Sequence, residues 1–262
     1  MPRYVLRVSE AFVKAVPTYL VAKKIGGRDG IVRTHYVRRE NLMKPDAYTR
    51  KLYADQPTVV PDERVGETSK FIFGRELEAR EWGALVGAVV GSTVVVQGYG
   101  DSAYIVVKHP QYTQERSVYG YSQGVITLDN EHFARLDLGD PNHPRGLGTR
   151  IVAHQVRAAQ RLGIREITCE ASGSFESEKK GYYAWPRVGF EGNLTPEHRA
   201  LFSQHTDAAA PATVLELLTL KGGKEWWLRH GTSISVKFDL TAGSLSDRVM
   251  VNYLKEKGIW LK

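Results

Sequence analysis

Hydrophobic and polar residues alternate through the middle of this 262-residue chain, a period that is typical of β-strands. The segments STVVVQGYG and AYIVVKHP are rich in valine and aromatic residues, and the Gly-Asp-Ser turn between them predicts a β-hairpin. The β pattern continues through RSVYGYSQGVITLDN and EHFARLDL. These segments predict a sheet built from consecutive strands.

The period becomes helical after the glycine turn RGLGT. Apolar and small residues then recur on one face and predict a buried stripe: Val152, Val156, Ala159 and Gly163. Basic residues with the same spacing on another face are predicted to face solvent: Arg150, His154, Arg157 and Arg161. The strand REITCEA follows, so the unit is strand, glycine turn, helix, strand.

The first forty residues carry a weaker pattern. RYVLRVS and GIVRTHYV predict short strands, and SEAFVKAVPTYLVAKKI, between them, predicts a helix with Ser9 as its N-cap. Residues 40–70 are polar and contain three prolines, so they are predicted to form a loop or linker.

Two further segments precede the hairpin. FIFGRE predicts a strand and REWGALVGAVV predicts a helix. We expect residues 1–66 to form a basic extension with a proline-containing linker, and residues 67–262 to form the main domain.

Composition narrows the class of protein. The single cysteine, Cys169, excludes an intramolecular disulfide and a CxxC metal site. No apolar run approaches the ~18–20 residues of a membrane span, and the N-terminal segment MPRYVLRVSEAF lacks the apolar core of a signal peptide. We therefore expect a soluble cytoplasmic protein without a metal site.

Charge is distributed unevenly along the chain. Residues 1–51 hold twelve Lys and Arg against four Asp and Glu, which leaves a net charge of −1 on the remainder. A basic segment of this kind attracts nucleic acid, anionic lipid or an acidic small molecule, although it is equally consistent with a solvated surface.

The glycine turn suggests a phosphate site. N–H groups at a helix N-terminus lack intrahelical partners, and the helix dipole favours an anion there. Glycines at 146 and 148 leave the backbone open to a pyrophosphate. Ile151 stands where a Rossmann fingerprint has its third glycine, and the GK[ST] ending of a P-loop is absent.

A second motif, GYYAWPRVGFEG at residues 181–192, follows the REITCEA strand. Together with RGLGT it resembles the GNAT superfamily of N-acyltransferases, which pairs a [QR]xxGx[GA] turn with a downstream helix ending in Y-x-x-x-G-F. The spacing of about 40 residues between the motifs agrees, and the resemblance covers roughly residues 85–192, with WWLRHGTSISVKFDL as a further strand.

This resemblance implies a mixed α/β fold: a twisted, mostly antiparallel sheet of six or seven strands, flanked by helices. It also implies that two splayed strands open a slot for acetyl-CoA, which donates an acyl group to a primary amine. The residues it implies for the pyrophosphate cradle are Arg145, Gly146, Leu147, Gly148, Thr149 and Arg150. The resemblance leaves open whether the amine acceptor is a small molecule or a macromolecule, and it does not define the oligomeric state.

Two positions depart from the family motif. Its leading Gln or Arg falls on His143, and its tyrosine falls on Trp185, whose indole N–H cannot protonate a thiolate. Tyr183 and Tyr182 are the alternatives for the acid, with Tyr183 preferred because it is closer to the motif position; water is a third possibility.

The general base is expected on the strand before RGLGT. Glu131 and Asp137 are the candidates there, and Glu170 on the next strand is a weaker one. A different class of function also stays open: a nucleic-acid-associated binding or DNA-modifying protein of the same fold that acts through residues 1–51 without CoA. Another acyl donor is a third alternative.

Overall fold

The computed structural model describes residues 20–26, 32–38, 45–120, 124–136, 146–205 and 209–261. Two strands, β1 (Leu20–Gly26) and β2 (Val32–Arg38), pair with each other in a separate antiparallel sheet. The rest of the described chain forms a mixed α/β body. The predicted fold class, a mostly antiparallel sheet flanked by helices, is confirmed.

Seven strands form the main sheet in chain order. They are β3 (Thr58–Pro61), β4 (Thr93–Gly98), β5 (Ser102–His109), β6 (Tyr112–Gly120), β7 (Ile126–Arg135), β8 (Glu166–Ala171) and β9 (Ile234–Asp239). The β3–β4 and β7–β8 pairs are parallel, and the other four pairs are antiparallel. The predicted hairpin is confirmed, because Gly98 at the end of β4 lies opposite Ala103 on β5.

The described helices connect and cover these strands. They are α1 (Ala47–Leu52), α2 (Val65–Phe73), α3 (Ala79–Leu85), α4 (Leu147–Arg161), α5 (Gly181–Arg187), α6 (Pro196–His205), α7 (Val214–Thr219), α8 (Gly223–His230) and α9 (Leu245–Glu256). Among the described helices, none is both long and apolar enough to cross a membrane.

One face of the sheet is buried and the other is polar. Burial alternates strictly along β4, and along β9 the even-numbered residues are buried while the odd-numbered ones are exposed. The apolar side chains of this buried face include Val94, Ile105, Leu128 and Ile167, each fully inaccessible. This is the pattern of an antiparallel sheet with helices packed on one face.

Helix α4 crosses the buried face, as its periodicity predicts. Val152, Val156 and Ala159 are buried, and the side chains of Ile151 and Ala153 are fully inaccessible. The backbone of α4 also contacts the turn after α3, where Gly87 has a φ of 62°. A Cβ at Gly87 would overlap the carbonyl of Ile151, so only glycine allows this approach.

The stretch predicted as a loop at residues 40–70 contains α1, β3 and the start of α2. Its prolines do not oppose these elements: Pro45 precedes the N-cap Asp46, while Pro57 and Pro61 lie at the two ends of the edge strand β3. The division into residues 1–66 and 67–262 stays a prediction, although its boundary falls inside α2.

The strand predicted at FIFGRE is wrong, because Phe71–Phe73 end α2. The buried residues of α2 are Val65, Thr68, Ser69 and Ile72, and their spacing is helical. Two of these four are polar, which hides the helical period from a hydrophobicity pattern. The helix predicted in REWGALVGAVV is confirmed only in its first half, because α3 ends at Leu85 and the chain turns at Gly87.

The helix predicted across SEAFVKAVPTYLVAKKI is wrong in its last part, because Leu20–Gly26 forms β1. Pairing with β2 overrides the local helical pattern there. Ser9 and the RYVLRVS segment lie outside the described residues, whereas the strand predicted at GIVRTHYV is confirmed as β2.

Candidate functional site

Strands β7 and β8 pair over only part of their lengths. Thr127–Asn130 lies opposite Glu166–Cys169, and β7 then continues to Arg135 paired with β6 alone. A β-bulge marks the point of separation: Glu115 pairs with His132 and Arg116 pairs with Asn130, so Glu131 is the extra residue on β7. A bulge bends the strand that carries it. The two parallel strands therefore diverge from Glu131 onward.

Polar side chains hold the bulge on both faces of the sheet. On the buried face, Asn130 and Gln155 of α4 exchange hydrogen bonds of 2.8 and 3.2 Å. On the polar face, the hydroxyl of Ser117 donates to Oε1 of Glu131, whose side chain is otherwise exposed. The predicted base Glu131 is thus an accessible carboxylate at the point where the strands part.

Two more carboxylates lie beside Glu131 on the polar face. The hydroxyl of Tyr104 donates to Glu115 at 2.7 Å, and that hydrogen bond is the main reason why the pKa of Tyr104 rises to about 12. The hydroxyl of Thr168 donates to Asp129 at 3.0 Å. We call Glu115, Asp129 and Glu131 the carboxylate row. It gives the polar face a negative potential next to the opening, which favours a cationic group there.

The first turn of α4 lies beside the same part of β7. Gly146 is the N-cap with a φ of 87°, a left-handed conformation that favours glycine. The first intrahelical bond is from Arg150 N–H to Gly146 O at 3.1 Å, so the N–H groups of Leu147, Gly148 and Thr149 precede it. A Cβ at Gly148 would lie 3.6 Å from the ring of Phe133, on β7 beyond the bulge.

The side chain of Arg150 is buried, contrary to the prediction of a solvated basic stripe. Its guanidinium donates to Asp46 Oδ1 and to Thr49 Oγ1, each at 2.9 Å, and lies over the ring of Tyr48. The other oxygen of Asp46 accepts from the backbone N–H of Trp260 at 3.1 Å. We call Asp46, Thr49, Arg150 and Trp260 the clasp. It joins α1, α4 and the C-terminal segment.

Hydrogen bonding perturbs the carboxyl of the clasp. Burial raises the pKa of Asp46, but hydrogen bonds from Thr49, from the Trp260 backbone and from Arg150 outweigh it and hold the pKa well below its usual range. Asp46 is therefore an anion at neutral pH, matched to the Arg150 cation.

A pyrophosphate would fit this helix start through the backbone. The N–H groups of the first turn are oriented as in any helix N-terminus, and Gly146 and Gly148 add no side chain that would block an approach. The guanidinium of Arg150 is instead engaged within the clasp. The described residues thus fit the backbone part of the predicted cradle. The Arg150 side chain instead stabilises the start of α4 through the clasp.

The three aromatic side chains of the motif on α5 lie in three different environments. The ring of Tyr182 is fully buried, and its hydroxyl donates to the carbonyl of Leu228 at 2.6 Å. Tyr183 is half-buried with the Arg187 guanidinium 4.9 Å from its ring centroid. Trp185 packs edge-on against Phe190. Of the two tyrosines, Tyr182 is therefore the one whose hydroxyl already has a backbone acceptor.

A shallow groove of about 180 Å³ lies beside α5. Its lining includes Arg187 of α5, Leu218 of α7, Lys224 of α8 and Tyr253 of α9. The Arg187 guanidinium lies 4.9 Å from the ring centroid of Tyr253 as well as from that of Tyr183. The groove is bounded by α5, α7, α8 and α9, and its lining includes no residue of α4.

Several predicted site residues have no described position. Asp137, His143 and Arg145 lie outside the described residues, as do most of residues 1–44, so the predicted nucleic-acid partner stays a prediction. Cys169 is buried on β8, and burial raises the pKa of its thiol, which disfavours a nucleophilic thiolate. Among the described residues, no group of three or more His, Cys, Asp or Glu could hold a metal ion.

Sequence reasoning missed three residues that shape the opening: Asp46, Arg116 and Ser117. A signal existed for Arg116, since alternation along β6 places Gln114 and Arg116 on the buried face between Tyr112 and Val118. Asp46 gave no such signal, because its partner Arg150 lies 104 residues away in the chain.

Comparison with known proteins identifies no family. No protein-family model matches the chain, and no curated protein matches it significantly. Among solved structures it is similar to Arabidopsis thaliana Naa50 in complex with the bisubstrate analogue CoA-Ac-MVNAL. That match has 9% sequence identity and a TM-score of 0.29, and it covers 66% of this chain and 89% of that chain. A similarity this weak carries no argument about activity, so function has to be inferred from the geometry of this chain.

Proposed function

We propose that the protein is an acyl-CoA-dependent N-acyltransferase that moves an acyl group, most simply acetyl, from acetyl-CoA to a primary amine. The observation that carries the proposal is the separation of β7 from β8 at the Glu131 bulge, beside the first turn of α4. A slot between two parallel strands next to a helix N-terminus is the arrangement that the GNAT resemblance implies.

The donor end of the proposed site is the start of α4. The backbone N–H groups of Leu147, Gly148 and Thr149 would hold the pyrophosphate, with Gly146 forming the turn and Arg145 adding charge. The clasp would keep this turn in place, because Arg150 binds the carbonyl of Gly146 as well as Asp46. Acetyl-CoA would supply the activated thioester.

Glu131 is the proposed general base. Its carboxylate is exposed, accepts from Ser117 and belongs to the carboxylate row, which would attract an ammonium acceptor and then remove its proton. Asp137 stays an alternative on the same segment of chain. The acceptor class, a small or macromolecular amine, follows from this negative potential.

Tyr183 is the proposed general acid. The hydroxyl of Tyr182 donates to Leu228 O and is therefore committed to the core, whereas the hydroxyl of Tyr183 donates to no backbone carbonyl in the described part of the chain. This supports the preference for Tyr183 that the motif position suggests. An acid at this site would protonate the departing thiolate.

A glycine substitution with a matched control tests the donor site. Gly148→Val should abolish CoA binding, because the added β-branched side chain would lie against the ring of Phe133 on β7 and fill the β7–β8 opening beside the first turn of α4. Gly66→Val is the control, since Gly66 is likewise the second residue of its helix and its Cβ would meet the flexible carboxylate of Glu76. Isothermal titration with CoA is the measurement. Equal affinity of wild type and folded Gly148→Val would overturn the proposal, as would a wild type that binds no CoA at millimolar concentration.

A further inference from the structure

Arg116 is a fully buried cation at the β-bulge. Its side chain is completely inaccessible, and it forms no ion pair with any carboxylate among the described residues. Burial lowers its pKa to about 10, and electrostatic interactions with Cys169, Asp129, Tyr112 and Glu131 oppose this shift. A guanidinium buried without a carboxylate partner is unfavourable, and replacing such an ion with an apolar side chain is often neutral or stabilising. Packing alone therefore does not explain this residue.

The donors of Arg116 point at the bulge. Nη1 donates to two backbone carbonyls, that of Glu115 at 2.7 Å and that of His132. Glu115 and His132 are the pair directly beside the bulged residue Glu131. A bulge interrupts the ladder and leaves backbone groups without their regular partner, and here the guanidinium supplies that partner.

A second contact anchors the guanidinium to the helical layer. Nη2 donates to Gln114 Oε1 at 2.8 Å, and Gln114 in turn donates to the carbonyl of Val86 at 2.7 Å. Val86 ends α3, and the turn that follows packs on α4 through Gly87. The bulge is thus connected through side chains to the helices that cover the sheet.

We propose that Arg116 is a positioning residue: it latches the β-bulge of β7 and thereby fixes the spread between β7 and β8 and the place of the Glu131 carboxylate. This inference rests on the proposed acyl transfer for its functional consequence. Arg116 lies on the buried face and Glu131 on the polar face, so Arg116 acts through the backbone and not by touching the reactants. Without the latch, the strand would relax and Glu131 would move away from the acceptor.

The test compares Arg116→Met and Arg116→Lys with Val94→Ala. Methionine keeps an unbranched apolar side chain without donors, and lysine keeps the charge without the two-sided guanidinium. Val94 is fully buried on β4, far from β7 in the sheet order, so Val94→Ala reports a general loss of core packing. Hydrogen exchange of the Ile126–Arg135 segment and steady-state kinetics with acetyl-CoA are both measured on the full chain.

We expect amides around Glu131 to exchange at least tenfold faster in Arg116→Met, with no such change in Val94→Ala. Turnover should fall about 10²-fold, the effect of misplacing a catalytic group by about 1 Å. The CoA dissociation constant should stay within threefold, since the α4 turn that binds it is intact. The exchange rate and the turnover of Arg116→Lys should lie between those of wild type and those of Arg116→Met, because lysine restores one donor group.

Several results would overturn the latch. One is unchanged exchange in Ile126–Arg135, and another is unchanged turnover in an enzyme whose exchange is faster. A third is a loss of turnover that matches that of Val94→Ala at equal thermal stability. If Arg116→Met does not fold, Arg116→Lys is read by the same criteria. If wild type shows no acetyl-CoA binding, the proposed function fails and the exchange comparison alone decides the role of Arg116.

Discussion

Arg150 and Arg116 are both buried near the β7–β8 opening, but they have different partners. Arg150 is 7% exposed and binds the Asp46 carboxylate, itself 19% exposed, at 2.9 Å. Arg116 is wholly inaccessible and binds two backbone carbonyls and one glutamine. Arg150 thus joins three distant chain segments through an ion pair. Arg116 instead supplies hydrogen-bond donors to carbonyls beside the β-bulge of one strand.

This difference teaches what each arginine can contribute. Removing Arg150 would leave the half-buried Asp46 carboxylate without its counter-charge, and a charge left uncompensated in this way destabilises the folded state. A guanidinium on carbonyls leaves no opposite charge behind. We therefore expect Arg150 to matter mainly for stability and Arg116 mainly for the geometry of the opening.

Truncation of the N-terminus should produce the largest effect. Removing residues 1–51 deletes Asp46 and Thr49, the two clasp side chains that bind the buried Arg150 guanidinium, so the free energy of unfolding should fall by more than about 3 kcal/mol. Removing residues 1–44 keeps the clasp and takes away β1 and β2, whose described pairing is only with each other. Urea denaturation of both truncations is the measurement. Equal midpoints would show that the clasp contributes little.

Substituting the two arginines compares them directly. Arg150→Met should reduce the free energy of unfolding by about 3 kcal/mol, because the Asp46 charge is left behind. Arg116→Met should stay within about 1 kcal/mol of wild type, since relief from burying a cation offsets the lost hydrogen bonds. Chemical denaturation at pH 7 measures both. The reverse order would contradict the distinction drawn between the two partners.

His154, one turn after Arg150 on α4, should reduce the stability of the protein in acid. Burial, with help from Arg157 and Arg161, lowers the pKa of His154 to about 3, and its ring stacks on Tyr53 with centroids 3.5 Å apart. Between pH 6.5 and pH 3 the unfolded chain binds a proton that the folded chain does not, so stability falls as pH falls through this window. His154→Phe should recover about 2 kcal/mol of that loss at pH 4.5.

The Asp46 carboxyl affects stability at a lower pH than His154, so the two effects can be measured separately. Its pKa is depressed in the folded state, so its contribution is present above pH 4 and is lost only as pH falls further. Burial also lowers the pKa of His198, but that effect is common to wild type and variant, so the difference between the two at pH 7 and at pH 4.5 reports His154 and not Asp46. An identical pH dependence of wild type and His154→Phe would contradict the assignment.

The two tyrosines of α5 also differ in their hydrogen-bond partners, and we expect this difference to affect catalysis. Tyr183→Phe should lower turnover at least tenfold, about 1.4 kcal/mol in the barrier, with CoA affinity nearly unchanged. Tyr182→Phe should leave turnover close to wild type and reduce stability by about 1 kcal/mol, because the Leu228 carbonyl loses its donor. The opposite ranking would assign the acid to Tyr182, and two silent substitutions in an active enzyme would assign it to water.

Regular periodicity explains which parts of the fold could be predicted. The buried face of the β4–β5 hairpin and the buried stripe of α4 consist of apolar and small residues, so the period is visible in the chain. The stripe of α2 includes Thr68 and Ser69, where Ser69 accepts from the backbone N–H of Leu77 and donates to the carbonyl of Arg75. Those hydrogen bonds make polar residues suitable for burial, which a pattern of hydrophobicity cannot register.

The site was predictable where it depends on local chain geometry. The glycine turn before α4 was identified because Gly146 and Gly148 lie next to a clear helical period. The burial of Arg150 depends on Asp46, and the exposure of Glu131 depends on a bulge defined by the pairing of β6 with β7. Both are tertiary facts, so neither can be deduced from the spacing of residues within one element.

The most direct test of the proposed acyl-CoA site is to map where acetyl-CoA contacts the full-length chain by backbone amide NMR. We expect saturable shifts at Gly146–Arg150 and in β7 beyond Glu131, with little change in the α5–α9 groove lined by Arg187 and Tyr253. Shifts confined to that groove, or no saturable shift at millimolar acetyl-CoA, would contradict the assignment of the β7–β8 opening as the donor site.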